Sequence, residues 1–297
     1  MSRSILHMLS PLKHMSPFDV NMAADAGFDV VVPYTNVTLE EVTGLVQDAI
    51  FSRAPNDGKR TGIFIAGKKA GLALDMLDAA KKAFVPPFEL NLFADPAGSF
   101  TTGAALVAVV AKALRDKHGT DLKGKRVVIF GGTGVVAYCA AVLAALERAT
   151  AVIAGHDGVQ RVAGIAAEMK ERFGVTVEPA DGSSRAASEA AVRDADIVLS
   201  AGPAGVNILD ASQVAAVKNL LIAADVNAVP PAGIEGVGVM AKAEPFNGSK
   251  ALAIGALTIG NVKYQTESGL FRRMLETDKP LAFDFRDAYA FARDVAG

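Results

Sequence analysis

The sequence predicts an α/β protein of two doubly wound domains, the second a Rossmann-type dinucleotide-binding domain, and three observations carry that expectation. Strand-like and helix-like segments alternate along the whole chain, as they do where helices cover a parallel sheet. A glycine turn follows the β-branched run Arg126–Phe130 and opens an apolar helix. The 297 residues are 51% hydrophobic and include no tryptophan, a composition suited to closely packed α/β layers rather than to a disordered or fibrous chain.

The first domain reads in order as Ile5–Leu9, Pro17–Ala26, Val30–Tyr34, Leu39–Arg53, Gly62–Ala66, Ala70–Phe84, Leu90–Ala94 and Thr101–Lys117. Thr38, with Glu40 and Glu41 behind it, reads as the cap and acidic first turn of a helix. The linker-like His118–Gly124 places a boundary, so that residues 1–118 form the first domain and residues 119–284 the second. Alternation continues through Val159–Phe173, Val175–Pro179, Arg185–Arg193, Ile197–Ala201, a helix near Ala211–Val217, and Leu220–Ala224. A glycine-rich turn then opens a long helix over Gly255–Leu275, and residues 285–297 are expected to return to the first domain.

Lys125 to Asp157 has the grammar of a dinucleotide-binding βαβ unit. Gly132-Thr-Gly134-Val-Val-Ala137 fits G-x-G-x-x-G/A directly after a strand. Gly132 is expected to allow the tight turn, Gly134 to let backbone approach a pyrophosphate, and Ala137 to let the helix pack closely. Asp157 ends the next strand, where an acid can bond the ribose hydroxyls. Other strand-end loops stand out at Asp95–Thr102, Ser200–Gly205, Asp225–Pro231 and Gly255–Lys263.

Several classes are excluded. The formal net charge is only −2 and no block of like charges stands out, so nothing argues for a nucleic-acid or polyanion footprint. The N-terminal segment, interrupted by His7 and stopped by Pro11, is too poor for a signal peptide, and the apolar run Val135–Leu146 falls short of a spanning helix; a cytoplasmic protein with no membrane partner is expected. The sequons at Asn36 and Asn247-Gly-Ser249 then carry no meaning. Gly62-Ile-Phe-Ile-Ala-Gly67-Lys68 resembles a P-loop only superficially, because Lys69 stands where Ser or Thr would hold magnesium and the intervening residues read as a strand. The four histidines and the single Cys139 show no metal-ligand spacing, and Cys139 reads as a packed small residue. No tyrosine has a lysine four positions on, which argues against short-chain alcohol dehydrogenases and bifunctional folate dehydrogenase–cyclohydrolases.

Longer words make a resemblance visible: Leu12-Lys-His-Met-Ser-Pro-Phe-Asp-Val-Asn21, Phe93-Ala-Asp-Pro-Ala-Gly-Ser-Phe-Thr-Thr-Gly103, Asp225-Val-Asn-Ala-Val-Pro-Pro-Ala-Gly-Ile234 and Ile259-Gly-Asn-Val-Lys-Tyr-Gln-Thr266. With the Rossmann unit second, the chain resembles the methylene-tetrahydromethanopterin dehydrogenases of methylotrophic bacteria, in the branch accepting both NAD and NADP. The resemblance implies hydride transfer from a tetrahydromethanopterin-type carrier with no general acid or base, in a homo-oligomer. It implies that Gly132, Thr133, Gly134, Val135 and Val136 hold the pyrophosphate, and that His156 and Asp157 meet the ribose. Ala201, Gly202, Asp225, Asn227 and the turn Gly255, Ala256, Leu257 would line the nicotinamide. For the pterin it implies His14, Phe18, Asp19, Ser99, Thr101 and Thr102, with Asp95 and Lys263 at the reacting end; Lys263 is expected to open a helix after the glycine turn. Capping stays open as the role of Asp19 and Asp95, and a solvated surface as that of Lys263. A methylene-tetrahydrofolate or shikimate/quinate-type dehydrogenase and a dinucleotide-sensing regulator remain alternatives.

Overall fold

A computed structural model describes residues 2–246 and 250–297, so the sequon at residues 247–249 lies outside the described residues. The strands are β1 Ile5–Leu9, β2 Val30–Tyr34, β3 Thr61–Ile65, β4 Asn91–Ala94, β5 Arg126–Phe130 and β6 Thr150–Gly155. They continue as β7 Glu178–Asp181, β8 Ile197–Ser200, β9 Ile222–Asp225, β10 Lys242–Pro245, β11 Leu252–Ile254 and β12 Ala282–Phe283. The helices are α1 Pro17–Ala26, α2 Val42–Phe51, α3 Ala70–Lys82, α4 Ser99–Ala113 and α5 Val135–Leu146. After them come α6 Val159–Phe173, α7 Arg185–Val192, α8 Ala211–Ala215, α9 Ala256–Glu276 and α10 Phe285–Ala296.

The chain divides into two compact units, Met1–Thr101 with Tyr264–Phe291, and Thr102–Lys263 with Ala292–Gly297. The divisions therefore fall inside α4, α9 and α10 rather than at residues 118 and 284, because long helices run on from one unit into the other. The linker-like His118–Gly124 only turns the chain from α4 toward β5, with Gly119 at φ 62° and Gly124 at φ 73°.

The first unit is a parallel sheet of order β12-β4-β3-β1-β2. This is a doubly wound order that reverses between β1 and β3. Its core is aromatic: Phe64, Phe93 and Phe271 lie with ring centroids 5.2–5.5 Å apart, Phe64 and Phe93 from the sheet and Phe271 from α9. β12 was not foreseen; its two residues are held at the edge of β4 partly because Leu281 N donates to Asn91 Oδ1 at 2.8 Å. α1 starts and stops as its residues dictate, with Ser16 at the N-cap, Pro17 in the first turn, and Gly27 at φ 111° closing the C-terminus. α2 differs from expectation. Thr38 does not cap it; the Thr38 amide instead donates to Glu41 Oε2 at 2.7 Å, and the helix starts only at Val42.

The second unit has the order β10-β11-β9-β8-β5-β6-β7. All its strands are parallel except β10. From β7 through β11 this is the Rossmann order, reversing between β5 and β8. The expected fold class therefore holds in both units. β10 and β11 escaped sequence reading, and β7 begins at Glu178 rather than at Val175. The stretch Pro96–His118 is long and apolar enough to cross a membrane, yet 72% of its most apolar window is buried within the protein, and it serves as a core helix. Cys139 is fully buried on α5 against Gly103, as its packing role requires.

His7 on β1 lies with Nδ1 3.0 Å from the Tyr34 hydroxyl. Burial, with Arg53 as the lesser cause, holds its pKa below the ordinary 6.5. As pH falls through 6.5 the unfolded chain therefore takes up a proton that the folded chain refuses, and stability drops. The urea midpoint should be lower at pH 5.5 than at pH 7.5, and the gap should narrow in His7→Gln. An equal gap in both proteins would remove His7 from the account.

Candidate functional site

Ligands of open α/β sheets bind beyond the carboxyl ends of the strands where the strand order reverses. In the second unit that point lies between β5 and β8, and it is built of glycine and alanine. Gly131 sits at φ 83°, and a Cβ there would collide with the Ala201 carbonyl. The tight turn expected of Gly132 therefore belongs to Gly131, whose φ is left-handed. Gly132 serves close packing instead, since its Cβ would stand 3.0 Å from Val162 Cγ1 and 3.1 Å from the Ala154 carbonyl. Gly134 is the N-cap of α5 at φ −89°, with no side-chain cap on the helix. The amides of the first turn, from Val135 and Val136, are left for an acceptor from outside. Thr133, Gly134, Val135 and Val136 are all partly exposed, while Ala137 is buried. This is a cradle that Cβ atoms would fill, and it fits a pyrophosphate.

At the end of β6, His156 and Asp157 are exposed beyond Gly155. The structure adds a residue that sequence reading missed: Arg161 Nη1 lies 3.1 Å from Asp157 Oδ2. A hydrogen bond from Arg161 is the chief reason that the Asp157 carboxyl stays below the usual carboxylate range. The i, i+4 spacing on a helical segment was the available signal.

The residues proposed beside the nicotinamide separate into two groups. Ala201 and Gly202 stand partly exposed beyond β8, facing the glycine turn. Gly255 tolerates no side chain, because a Cβ would strike the Gly238 and Val239 carbonyls, and Leu257, one place beyond Ala256, is 51% exposed. Asp225 and Asn227 behave otherwise. Asp225 is 1% exposed. It accepts from Gly233 N at 2.7 Å, Ile234 N at 3.2 Å and Asn227 N at 3.0 Å. Asn227 accepts from Val229 N at 2.9 Å and donates to the Pro231 carbonyl at 2.9 Å. Asp225 braces its own loop, and Asn227 also ties that loop to Gly205, whose amide donates to Asn227 Oδ1 at 3.2 Å, which corrects the expectation that both face the nicotinamide.

In the first unit a pocket of about 480 Å³ opens at the reversal between β1 and β3. Ser10, Lys13, His14, Ser16 and Asp19 line it after β1, and Ala66, Gly67 and Lys68 after β3. His14 and Lys68 are exposed, whereas Asp19 is 2% exposed on the first turn of α1. Ala97, also in the wall, holds φ 54°, a left-handed conformation rare in a residue with a Cβ. Phe18, 47% exposed, follows Pro17 of the same wall. Lys13 and Lys68 were not singled out in the sequence as site residues.

Asp95 and Thr101 require a second correction. Asp95 is fully buried and accepts from Phe100 N at 2.8 Å and Thr101 N at 3.2 Å, while Thr101 Oγ1 donates to it at 2.6 Å. This carboxylate caps the start of α4, and Thr101, itself fully buried, completes the cap. Ser99 and Thr102 of the same turn are partly exposed. Lys263 is half-buried and lies two turns inside α9, so it does not open that helix as expected.

Residues 17–97 match the family profile described as methylene-tetrahydromethanopterin dehydrogenase, N-terminal. A protein of Methylorubrum extorquens strain AM1, the NAD(P)-dependent methylenetetrahydromethanopterin dehydrogenase, is 63% identical over 297 residues, end to end of both chains. The chain belongs to the methylene-tetrahydromethanopterin dehydrogenase family. A second protein of that organism, the bifunctional protein MdtA, is 32% identical to this family member over 296 residues, again end to end. Among solved structures, shikimate 5-dehydrogenase from Listeria monocytogenes has a TM-score of 0.52 at 14% identity, covering 99% of this chain and 96% of its own. Ornithine carbamoyltransferase from Pyrococcus furiosus has 0.53 at 13%, covering 93% and 86%. The latter two share the fold alone with this dehydrogenase family member.

Proposed function

We propose that this chain oxidises methylene-tetrahydromethanopterin to the methenyl form with NAD or NADP. The identity of 63% along the whole chain to an enzyme of that name carries the reading, and the glycine cradle between β5 and β8 supports it. Neither a folate-specific nor a shikimate-type activity has comparable support.

Turning an N–CH₂–N bridge into N–CH=N⁺ removes one hydride and no proton. The bound dinucleotide supplies the hydride acceptor, and the protein supplies binding, orientation and electrostatics. Amides at Thr133, Val135 and Val136 hold the pyrophosphate, and Gly132 and Gly134 leave room for it, the Gly134 amide itself closing the turn on the Gly131 carbonyl at 2.7 Å. His156 and Asp157 meet the ribose, and Ala201, Gly202 and the turn Gly255–Leu257 flank the nicotinamide. In the first unit, the pocket beyond β1 and β3 takes the pterin. Phe18 offers it a ring face, His14 a polar edge, and the buried Asp19 the negative charge that favours a product gaining positive charge. Ser99 and Thr102 add hydroxyls, and Lys263 orients the carrier through a carbonyl or hydroxyl. A cytoplasmic homo-oligomer completes this reading.

The test is reduction of NAD⁺ and NADP⁺ with methylene-tetrahydromethanopterin and, separately, methylene-tetrahydrofolate. A bridge carrying deuterium should deliver its label to C4 of the nicotinamide, with none exchanged into water. Solvent-derived hydrogen at C4, or turnover with the folate alone, would overturn the assignment. Asp157→Ala should shift the kcat/KM ratio toward NADP⁺ by roughly 1–2 kcal/mol, the scale of a charged hydrogen bond lost to NAD⁺. An unchanged ratio would show that Asp157 does not read the ribose.

A further inference from the structure

We infer that Arg161 is the residue that lets the ribose end of the dinucleotide site accept either a free 2′-hydroxyl or a 2′-phosphate. The inference rests on reading the turn Gly131–Gly134 as the pyrophosphate cradle, and it concerns the opposite end of the same βαβ unit.

An acid at the end of β6 favours a ribose diol, because its carboxylate accepts from the hydroxyls, and it repels a 2′-phosphate. Asp157 by itself would therefore make the site selective for NAD. Arg161 changes the charge it presents. The guanidinium lies 3.1 Å from Asp157 Oδ2, so the pair presents no net charge to the ligand. Arg161 is also 63% exposed, and a guanidinium carries five donors in a planar fork, of which this contact uses one. The remaining donors can meet a phosphate without breaking the ion pair.

Two features of the surroundings fit the same ligand. Gly158, φ 96°, is the N-cap of α6 and offers no side-chain cap, so the first-turn amides of that helix are open to an anion beside Arg161. Across the loop, Gly182 N donates to the Gly155 carbonyl at 2.9 Å, which ties the end of β7 against the end of β6 and gives the ribose site a side wall without a side chain. The other arginine at this end of the sheet is committed elsewhere. Arg185 is paired with Asp210 and Glu189 and bonds Ser212 Oγ at 2.7 Å, all within its own helix and the start of α8. His156 contributes a smaller Coulombic effect on Asp157 than the Arg161 hydrogen bond does. The substitute for a dedicated phosphate pocket is therefore an acid and a base four residues apart, one for each cofactor.

The experiment separates this end of the site from the chemistry by using ADP-ribose and 2′-phospho-ADP-ribose, neither of which carries a nicotinamide. Calorimetry on Arg161→Ala should show the affinity for 2′-phospho-ADP-ribose falling by about tenfold or more, the scale of one charged hydrogen bond, with that for ADP-ribose changing by less than about threefold. The salt dependence of binding the phosphorylated probe should flatten in the same variant, and Arg161→Lys should recover part of the loss. The NADP⁺/NAD⁺ ratio of kcat/KM should fall in parallel. Equal losses for both probes, or no loss for either, would overturn the role of Arg161 while leaving the glycine cradle standing. Failure of the unmutated protein to bind ADP-ribose would instead overturn the cradle, and this inference with it.

Discussion

Gly134→Val is expected to abolish binding of NAD⁺ and NADP⁺ by a protein that still folds. The backbone at Gly134 lies at φ −89° and ψ 157°, where any residue is at ease. A Cβ there would stand 3.2 Å from the Gly131 carbonyl, a contact that a small local shift relieves. The branched side chain then projects into the space where the amides of α5 face their anion. Pyrophosphate and isopropyl group cannot share that space, so affinity should fall by about 100-fold or more, roughly 2.8 kcal/mol. Circular dichroism and the thermal midpoint should stay near those of the parent. Normal calorimetric affinity in this variant would sink the assignment of the turn. Gly131→Ala makes a poorer test, because its positive φ and the collision with Ala201 would disturb the fold itself.

Lys263→Ala should lower kcat/KM for the methylene carrier by about 2–4 kcal/mol, the range for losing a buried charged orienting contact, while the Kd for the dinucleotide stays nearly constant. Half-burial two turns inside α9 favours this over a freely solvated lysine, since Val262 and Thr266 beside it are buried. The helix continues for three turns beyond Lys263, so alanine, a better helix former than lysine, should leave α9 intact. Because the reaction moves no proton through the protein, the pH profile of kcat should keep its shape in the variant. Wild-type kinetics would return Lys263 to the role of a surface lysine. A loss divided equally between carrier and dinucleotide would mean that the substitution damages α9 rather than the pterin contact.

Local patterning made much of this protein legible. β1, α1, β2, β6 and α6 follow directly from runs of β-branched residues, helical periodicity and terminal glycines or prolines, all of which act over a few residues. The strand-turn-helix at Arg126–Leu146 is legible for the same reason, and so is the rejection of a P-loop at Gly62–Lys68, most of which lies in β3. Legibility failed where the deciding partner is distant or indifferent to pattern. β12 is such a case, lying beside β4 through distant partners: Leu281 N donates to Asn91 Oδ1 and the Leu281 carbonyl accepts from Leu92 N, the first across a separation of 190 residues. β10 and β11 are short, four and three residues, β10 pairing with β11 and β11 with β9, so neither had the length to show a period.

The sequence by itself determined the fold class, the place of the glycine turn and, through long shared words, the family. These depend on backbone preferences and on chemistry written in contiguous residues. Tertiary structure alone decided what each polar side chain does. Asp95, Asp225 and Asp157 are all acids at strand ends and look alike in sequence. The first two are buried, and backbone amides of their own loops converge on them, because an unsatisfied carboxylate in the interior is too costly. The third is exposed, so its partner is a neighbouring guanidinium that a ligand can share. Burial, which depends on the packing of the whole unit, separates the acids that brace their own backbone from the one left open to solvent.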